Sequence, residues 1–532
     1  MKKLLALSIL VIFLAVMLSG CSFSKSDKVI LRWAIPDDPE SLNPQKMAST
    51  YTLSVADQLY EGLTSVAKDN VIVPAGAEKW DVSADRLTYK FYLRKDAKWS
   101  NGAPVVAEDY VYSWSCGVDP KYASESAYML YFIKNGERFN QGKCNVTEFG
   151  VKALDQYTLE VKLEHPCEFF LHLTAFHAYF PINKKNAESN SNWAGSANTI
   201  SCNGPFKIIS WDRNSKMVLL KNEYYWDKAK VKLSEIDVYM VDKDSTAMSM
   251  MENGQLDISD TLPPDTEYKR LIDAGKLKFY PFMNTNYLAF NVHKKPLNDA
   301  RVRRALSYSI DGAALLQDAK ASGASKEANA WVPYGIPDAA ADSDFRVTGG
   351  ALFKYDPMLA KKLLAEAGYP DGKDFPELTF LFGSSAGKSK YGEMIQEMYK
   401  KTLGIKVKLV GQEWKVYNKS RDDLQFDICT NSWVGDYLDP MTYMSVLLTS
   451  SDTNNIPRWS NAKYDSLILK AQDTIDNDER MKLMHAGEKI IFEDMPIMPY
   501  AFSMNRVMDS GSVRNVIRDA SGKTLMKEAY KE

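Results

Sequence analysis

Among side chains that do chemistry, histidine is the scarcest: five in 532 residues, His165, His172, His177, His293 and His485. No H-E-x-x-H occurs, and His172 and His177 stand five apart, which points them in different directions on a helix. None of the six cysteines lies in a C-x-x-C spacing, so neither zinc nor thioredoxin chemistry is supported. An excess of one charge is missing too, with 66 basic residues against 68 acidic ones and a formal charge of −2. That removes the basic footprint that nucleic-acid binding requires, and no charge run forms a tail. Long apolar runs are absent after the first twenty residues, and a mean hydropathy of −0.33 excludes a multi-span membrane protein. Disorder is excluded by 45% hydrophobic and 12% aromatic residues. Beyond a Ser/Lys linker at 22–28 no Pro/Gly/Ser-rich stretch divides the chain, and no internal repeat appears. At about 150 residues per domain the length suggests three to four domain-sized units that must be closely connected.

The one long apolar run stands at the start. Lys2 and Lys3 precede Leu4 to Leu18, which only Ser8 interrupts, and polar sequence follows directly. This is the pattern of a secretory signal peptide over residues 1–20. Its ending, Leu18-Ser19-Gly20-Cys21, resembles the lipobox of bacterial lipoproteins, which implies cleavage before Cys21 and a lipid on that cysteine. Such a tether holds a protein on a membrane without spanning it. The 512 residues left carry 64 basic and 68 acidic side chains, a charge of −4. Five cysteines remain, Cys116, Cys144, Cys167, Cys202 and Cys429; an odd number requires at least one unpaired thiol or an intermolecular bond, and connectivity stays open.

Alternation marks strands at Leu87, Tyr89, Phe91 and Leu93, at Tyr157, Leu159, Val161 and Leu163, and over residues 235–241 and 286–292. Helical spacing appears at Val302, Ala305, Leu306, Ser309 and Ile310. A second helix is fully punctuated, with Asp356 as N-cap, Pro357 at the first position, Leu359, Leu363 and Leu364 on the apolar face, and Gly368 then Pro370 to end it. A strand at 377–382, a helix through Tyr391, Met394, Ile395, Met398 and Tyr399, and a strand at 405–410 make a β-α-β unit. The class is α/β, with a parallel or mixed sheet in the C-terminal half.

Two motifs suggest catalysis and fail on context. Gly383-Ser384-Ser385-Ala386-Gly387 matches G-x-S-x-G between strand and helix, but the only later histidine, His485, falls in a helical, charged segment. The same stretch runs on through Lys388 and Ser389 toward a P-loop, yet its first glycine comes one residue too late. Asp436 and Asp439 form a carboxylate pair without a supporting histidine or metal. An exported serine hydrolase is thus the remote alternative, and no enzyme, cofactor or metal is expected.

A set of segments, in order, carries a resemblance: Ser41-Leu42-Asn43-Pro44, Tyr60-Glu61-Gly62-Leu63, Ala77-Glu78-Lys79-Trp80, the stretch from Phe91 to Trp114, Asn203-Gly204-Pro205-Phe206, Asn298-Asp299-Ala300-Arg301-Val302-Arg303, Gln412-Glu413-Trp414 and Trp433-Val434-Gly435-Asp436-Tyr437-Leu438-Asp439-Pro440. Together they resemble the peptide-binding branch of the extracytoplasmic solute-binding proteins of ABC importers, nearest to oligopeptide-binding lipoproteins. The resemblance implies a three-lobed, periplasmic-binding-protein-like fold with hinge closure on an extended peptide around a central cleft. Lobe I would combine 29–61, 187–283 and 501–532; lobe II would be 62–186 and lobe III 284–500.

A receptor for many peptides must bind what they share: backbone amides, an α-ammonium and a carboxylate. By resemblance, Asp436 takes the ammonium, while Ala48, Ser49 and Thr50 with Ser432 and Val434 pair with the peptide backbone. Trp414, Trp433 and Tyr437 line side-chain pockets, and Lys320 and Lys388 stand near positions that reach the carboxylate. Thr430 stands where relatives have a carboxylate-binding arginine, and Asn284 and Val434 replace two disulfide cysteines. The implied partners are an oligopeptide, a membrane permease of an ABC importer and the membrane through the lipid anchor, for a monomer on the outer face of the cytoplasmic membrane or in a periplasm. The same scaffold bound to a signalling peptide, metal complex, haem or sugar is the alternative.

Overall fold

A computed structural model describes residues 28–47, 49–67, 71–317, 325–340, 343–384, 386–451 and 454–532. Residues 1–20, read above as a signal peptide, and Cys21, Ala48, Lys320 and Ser385 lie outside them, as does the side chain of Lys388. Elements form where alternation and capping demand them. In Thr88–Leu93 the residues Tyr89, Phe91 and Leu93 are buried and their neighbours are not. This strand pairs with Ala77–Val82 and Thr158–Lys162, and Val151–Asp155 completes an antiparallel four-stranded unit. The Asp356 carboxylate accepts from Leu359 N–H to start the helix Pro357–Glu366, and Gly368 at φ +98° lies two residues past its end.

The larger sheet has eleven strands. From one edge it runs Val407–Gln412, Leu378–Gly383, Ile428–Val434, Leu277–Phe290, Ile497–Asp509, Ile258–Ser259, Ile30–Ile35, Glu235–Met240, Lys216–Lys221 and Phe206–Asp212, with Ser325–Glu327 also on Ile497–Asp509. Leu378–Gly383 and Val407–Gln412 are parallel and joined by the helix Ala386–Leu403, which is the β-α-β unit read from the sequence. The two longest strands cross from one half of this sheet to the other. Their pairing slips between Tyr280 and Asn284 and again between Asn286 and Tyr287. The expected lobe boundaries at 283/284 and 500/501 fall inside these two strands, so the sheet runs unbroken through them.

Many of the quoted segments are joints. Glu61 accepts from Tyr225 Oη at 2.5 Å and Trp226 Nε1 at 2.7 Å, and Asn203 exchanges side-chain bonds with the Glu61 backbone. A Cβ on Gly62 would lie 2.1 Å from the Thr174 carbonyl, so only glycine fits there. Asp109 takes Trp99 Nε1 and Val106 N–H, each at 3.0 Å, and Arg303 holds the Asp494 carbonyl and carboxylate. One continuous hydrophobic cluster, from Trp33 through Trp114 to Trp331, underlies both sheets.

Candidate functional site

The strand Ile428–Val434 has one occupied edge and one that opens midway. On one side it pairs with Leu277–Phe290 from Phe290↔Ile428 to Asn284↔Val434, so the two positions that stand for the relatives' cysteines are direct partners. On the other side its parallel pairing with Leu378–Gly383 covers only Ile428 and Cys429. Gly435 N–H donates to the Met283 carbonyl at 2.7 Å. In an antiparallel strand a residue turns its N–H and C=O to the same edge, and the edge alternates. Thr430, Ser432 and Val434 therefore face the opened edge. The Thr430 carbonyl already accepts there from Tyr417 Oη; Ser432 and Val434 lie beyond it.

The chain then turns inward at Gly435, where a Cβ would meet Thr442 and Tyr443 at 3.1 Å. The turn is pinned by Asp436 N–H on Thr442 Oγ1 at 3.0 Å, Trp433 Nε1 on the Thr442 carbonyl at 2.8 Å and Tyr443 Oη on the Met283 carbonyl at 2.7 Å. Asp436 is thus presented by fixed backbone. Its carboxylate accepts one hydrogen bond, from Tyr128 Oη of the short helix Ala127–Leu130 at 3.0 Å, and among the described residues no ion pair is formed by it. Burial raises its pKa to about 7, against the Tyr128 bond that pulls it down. Asp439, three residues on, is different: Arg480 grips both its oxygens at 2.8 and 2.5 Å, so it is a structural ion pair and not half of an acid/base dyad.

Asp436 lines a cavity of about 30 Å³ walled from three directions. Met283, Tyr437 and Leu438 close it on the large sheet's side; Val66 comes from the strand Thr64–Val66, and His172 and Phe176 from the helix Phe170–Leu173 and the turn after it. Asp519, Ser521 and Lys523 come from the tip of the hairpin formed by Ile517–Arg518 and Thr524–Leu525. Beside it, Tyr437 stacks on Phe169 at 4.1 Å between ring centres and 5° between planes, with Phe132 edge-on at 5.9 Å. Side chains of residues 66–176 and of the large sheet's side therefore meet around Asp436.

The other expected residues fall as follows. Tyr437 is a cavity wall; Trp414 and Trp433 are not. Trp414 is 54% exposed at the start of the helix Trp414–Asp422 and stacks on Tyr417, the residue that bonds Thr430. Ser49, extended, stands at the N-cap position of the helix Thr50–Leu59 that Thr50 begins, and Ser49 N–H donates to the Glu40 carboxylate at 3.0 Å. What remains there is first-turn N–H groups. Tyr128, Phe169, Asp519 and Lys523 carry no signal in the sequence that ties them to Asp436. His485 bonds Asp338 at 3.1 Å and stacks on Phe345.

The family model described as bacterial extracellular solute-binding proteins, family 5, matches residues 71–455. The oligopeptide-binding protein OppA of Bacillus subtilis (strain 168) is 32% identical over 551 residues, covering 100% of each chain. The Escherichia coli murein tripeptide binding protein MppA superposes with a TM-score of 0.82 at 33% identity, over 95% of this chain and 99% of that one. Listeria monocytogenes OppA bound to peptide gives 0.80 at 30% identity, over 95% and 99%.

Proposed function

The chain belongs to family 5 of the bacterial extracellular solute-binding proteins, and from that premise we propose that it captures oligopeptides in extended form and hands them to an ABC importer. The observation that carries this reading is Asp436: a partly buried carboxylate, without a cation partner among the described residues, beside a strand edge that opens at Ser432 and Val434. The α-ammonium of a peptide supplies the missing charge. Its backbone then continues the sheet along that edge, which gives affinity without regard to side chains, while hydrated space accepts varied ones. Tyr128 donates to the same carboxylate from the opposite unit, so an ammonium bound there is enclosed as lobe II closes on lobe III.

The lipobox and the apolar run before it support export and a lipid anchor at Cys21. Among the described residues no helix is long and apolar enough to cross a membrane. The test is calorimetry of peptide binding to wild type and Asp436→Ala. Loss of one partner of an enclosed charge pair costs about 2–5 kcal/mol, roughly thirtyfold to several thousandfold in affinity. An N-acetylated peptide binding wild type as tightly as the free-amine form overturns the assignment.

A further inference from the structure

We infer that Tyr417 ends the ligand's pairing with the sheet, so that the strand Ile428–Val434 bonds the backbone of a peptide's first and third residues and of none beyond. The inference rests on the proposed reading, with the α-ammonium at Asp436 and the backbone on the edge at Ser432 and Val434. A ligand that starts at Asp436 and leaves toward Ser432 runs against the direction of that strand. In such an antiparallel ladder every second ligand residue turns its N–H and C=O to the strand, and each meets one residue of the open edge. Among the residues facing that edge Val434 is nearest to Asp436, since Gly435 turns its N–H to the Met283 carbonyl. The first ligand residue therefore stands opposite Val434, the third opposite Ser432, and a fifth would need Thr430.

Thr430 is already taken. The strand Leu378–Gly383 stays paired with Val407–Gln412 to its end but leaves Ile428–Val434 after Leu381↔Cys429. Tyr417 stands where the two part: its Oη donates to the Thr430 carbonyl, the acceptor that a fifth ligand N–H would claim. Burial changes at the same point, with Ile428, Cys429 and Thr430 buried and Asn431 to Val434 open. The tyrosine is held in place. It is 1% exposed and stacks on Trp414 at 5.6 Å between ring centres and 20° between planes, with Arg421 5.9 Å from its ring centre. Its helix, Trp414–Asp422, directly follows the strand Val407–Gln412, whose last carbonyl accepts from Ser384 N–H at 2.7 Å. To extend the ladder a ligand would have to expel a buried ring and exchange one hydrogen bond for another, a trade without gain. Longer peptides still bind, but their further residues add no bond to this strand.

The test is calorimetry on the full chain with the amide of penta-alanine and two analogues, in which an ester oxygen replaces the backbone N–H of residue 3 or of residue 5. A backbone hydrogen bond contributes about two- to tenfold in affinity. On wild type the ester at residue 3 is expected to weaken binding at least about threefold, and the ester at residue 5 by less than about twofold. Tyr417→Leu keeps an apolar side chain in the core but is too short to reach Thr430, and there the ester at residue 5 is expected to cost at least about threefold. Tyr417→Phe removes only the hydroxyl, is expected to shift in the same direction and supplies the test if the leucine variant does not fold. A loss at residue 5 equal to that at residue 3 in wild type, or no loss at residue 5 in the folded variants, overturns the inference. No loss at residue 3 instead overturns the placing of the ligand on this edge, so the two failures are distinct.

Discussion

A carboxyl raised to about 7 by burial is half protonated near neutrality when no ligand is present. An ammonium binds only the charged form, so the sign follows: lowering pH through about 7 fills Asp436 with a proton that the ligand must expel. Affinity then falls by up to about tenfold per pH unit on the acid side. Above about 8 the peptide's own amine loses its proton, so affinity peaks between about pH 7 and 8. Calorimetry across that range should show the bell, with proton release at its acid limb, and Asp436→Asn should abolish that limb. His172, Asp519 and Lys523 also face the cavity, so an acid limb that survives in Asp436→Asn assigns the titration to one of them and refutes this account. The sequence could lead to Asp436 only through its neighbours Trp433, Gly435 and Tyr437. Tyr128 lies 308 positions away, and nothing local in a chain reports a partner at that distance.

At the level of elements, capping and alternation were legible because their physics is local. The helix Pro357–Glu366 and the strands Thr88–Leu93 and Thr158–Lys162 stand where periodicity and punctuation put them. The strand Leu277–Phe290 was read only in its second half; its first half contains Pro281, a residue that has no N–H to give a ladder. The structure carries the strand past it by slipping register between Tyr280 and Asn284, where proline's missing N–H is no loss. The site strand Ile428–Val434 shows no clean alternation, being buried at its first three residues and open after them. Its two edges make a sharp prediction. Val434→Pro removes an N–H from the open edge and should weaken peptide binding about tenfold with little change in melting temperature. Trp433→Pro removes one from the paired edge and should lower the melting temperature itself. Equal thermal effects of the two would mean that the edge is not free.

For the whole molecule the question is what couples ligand capture to closure. The strands Leu277–Phe290 and Ile497–Asp509 run through both expected boundaries between lobes I and III, and their pairing slips beside the first of them; side chains of the expected lobe II touch those of the expected lobe III around Asp436. One of those contacts is the stack of Tyr437 on Phe169, with Arg480 5.7 Å from the Phe169 ring and itself locked to Asp439. Tyr437 follows directly on Asp436, the residue proposed to bind the ammonium, so the backbone turn that presents Asp436 also presents the ring that Phe169 meets. A stacked aromatic pair contributes about 0.5–1.5 kcal/mol beyond its buried area, and both rings are almost wholly buried here. Phe169→Ala leaves the carboxylate, its Tyr128 bond and the strand edge in place, and removes the stack on Tyr437 together with the ring's contacts to Phe132 and Arg480. Peptide affinity should then fall about tenfold through faster dissociation, with the pH bell unmoved and the N-acetyl penalty retained. Stopped-flow fluorescence separates the two rates; a slower association with unchanged dissociation would show that the stack shapes the open receptor and does not hold the closed one.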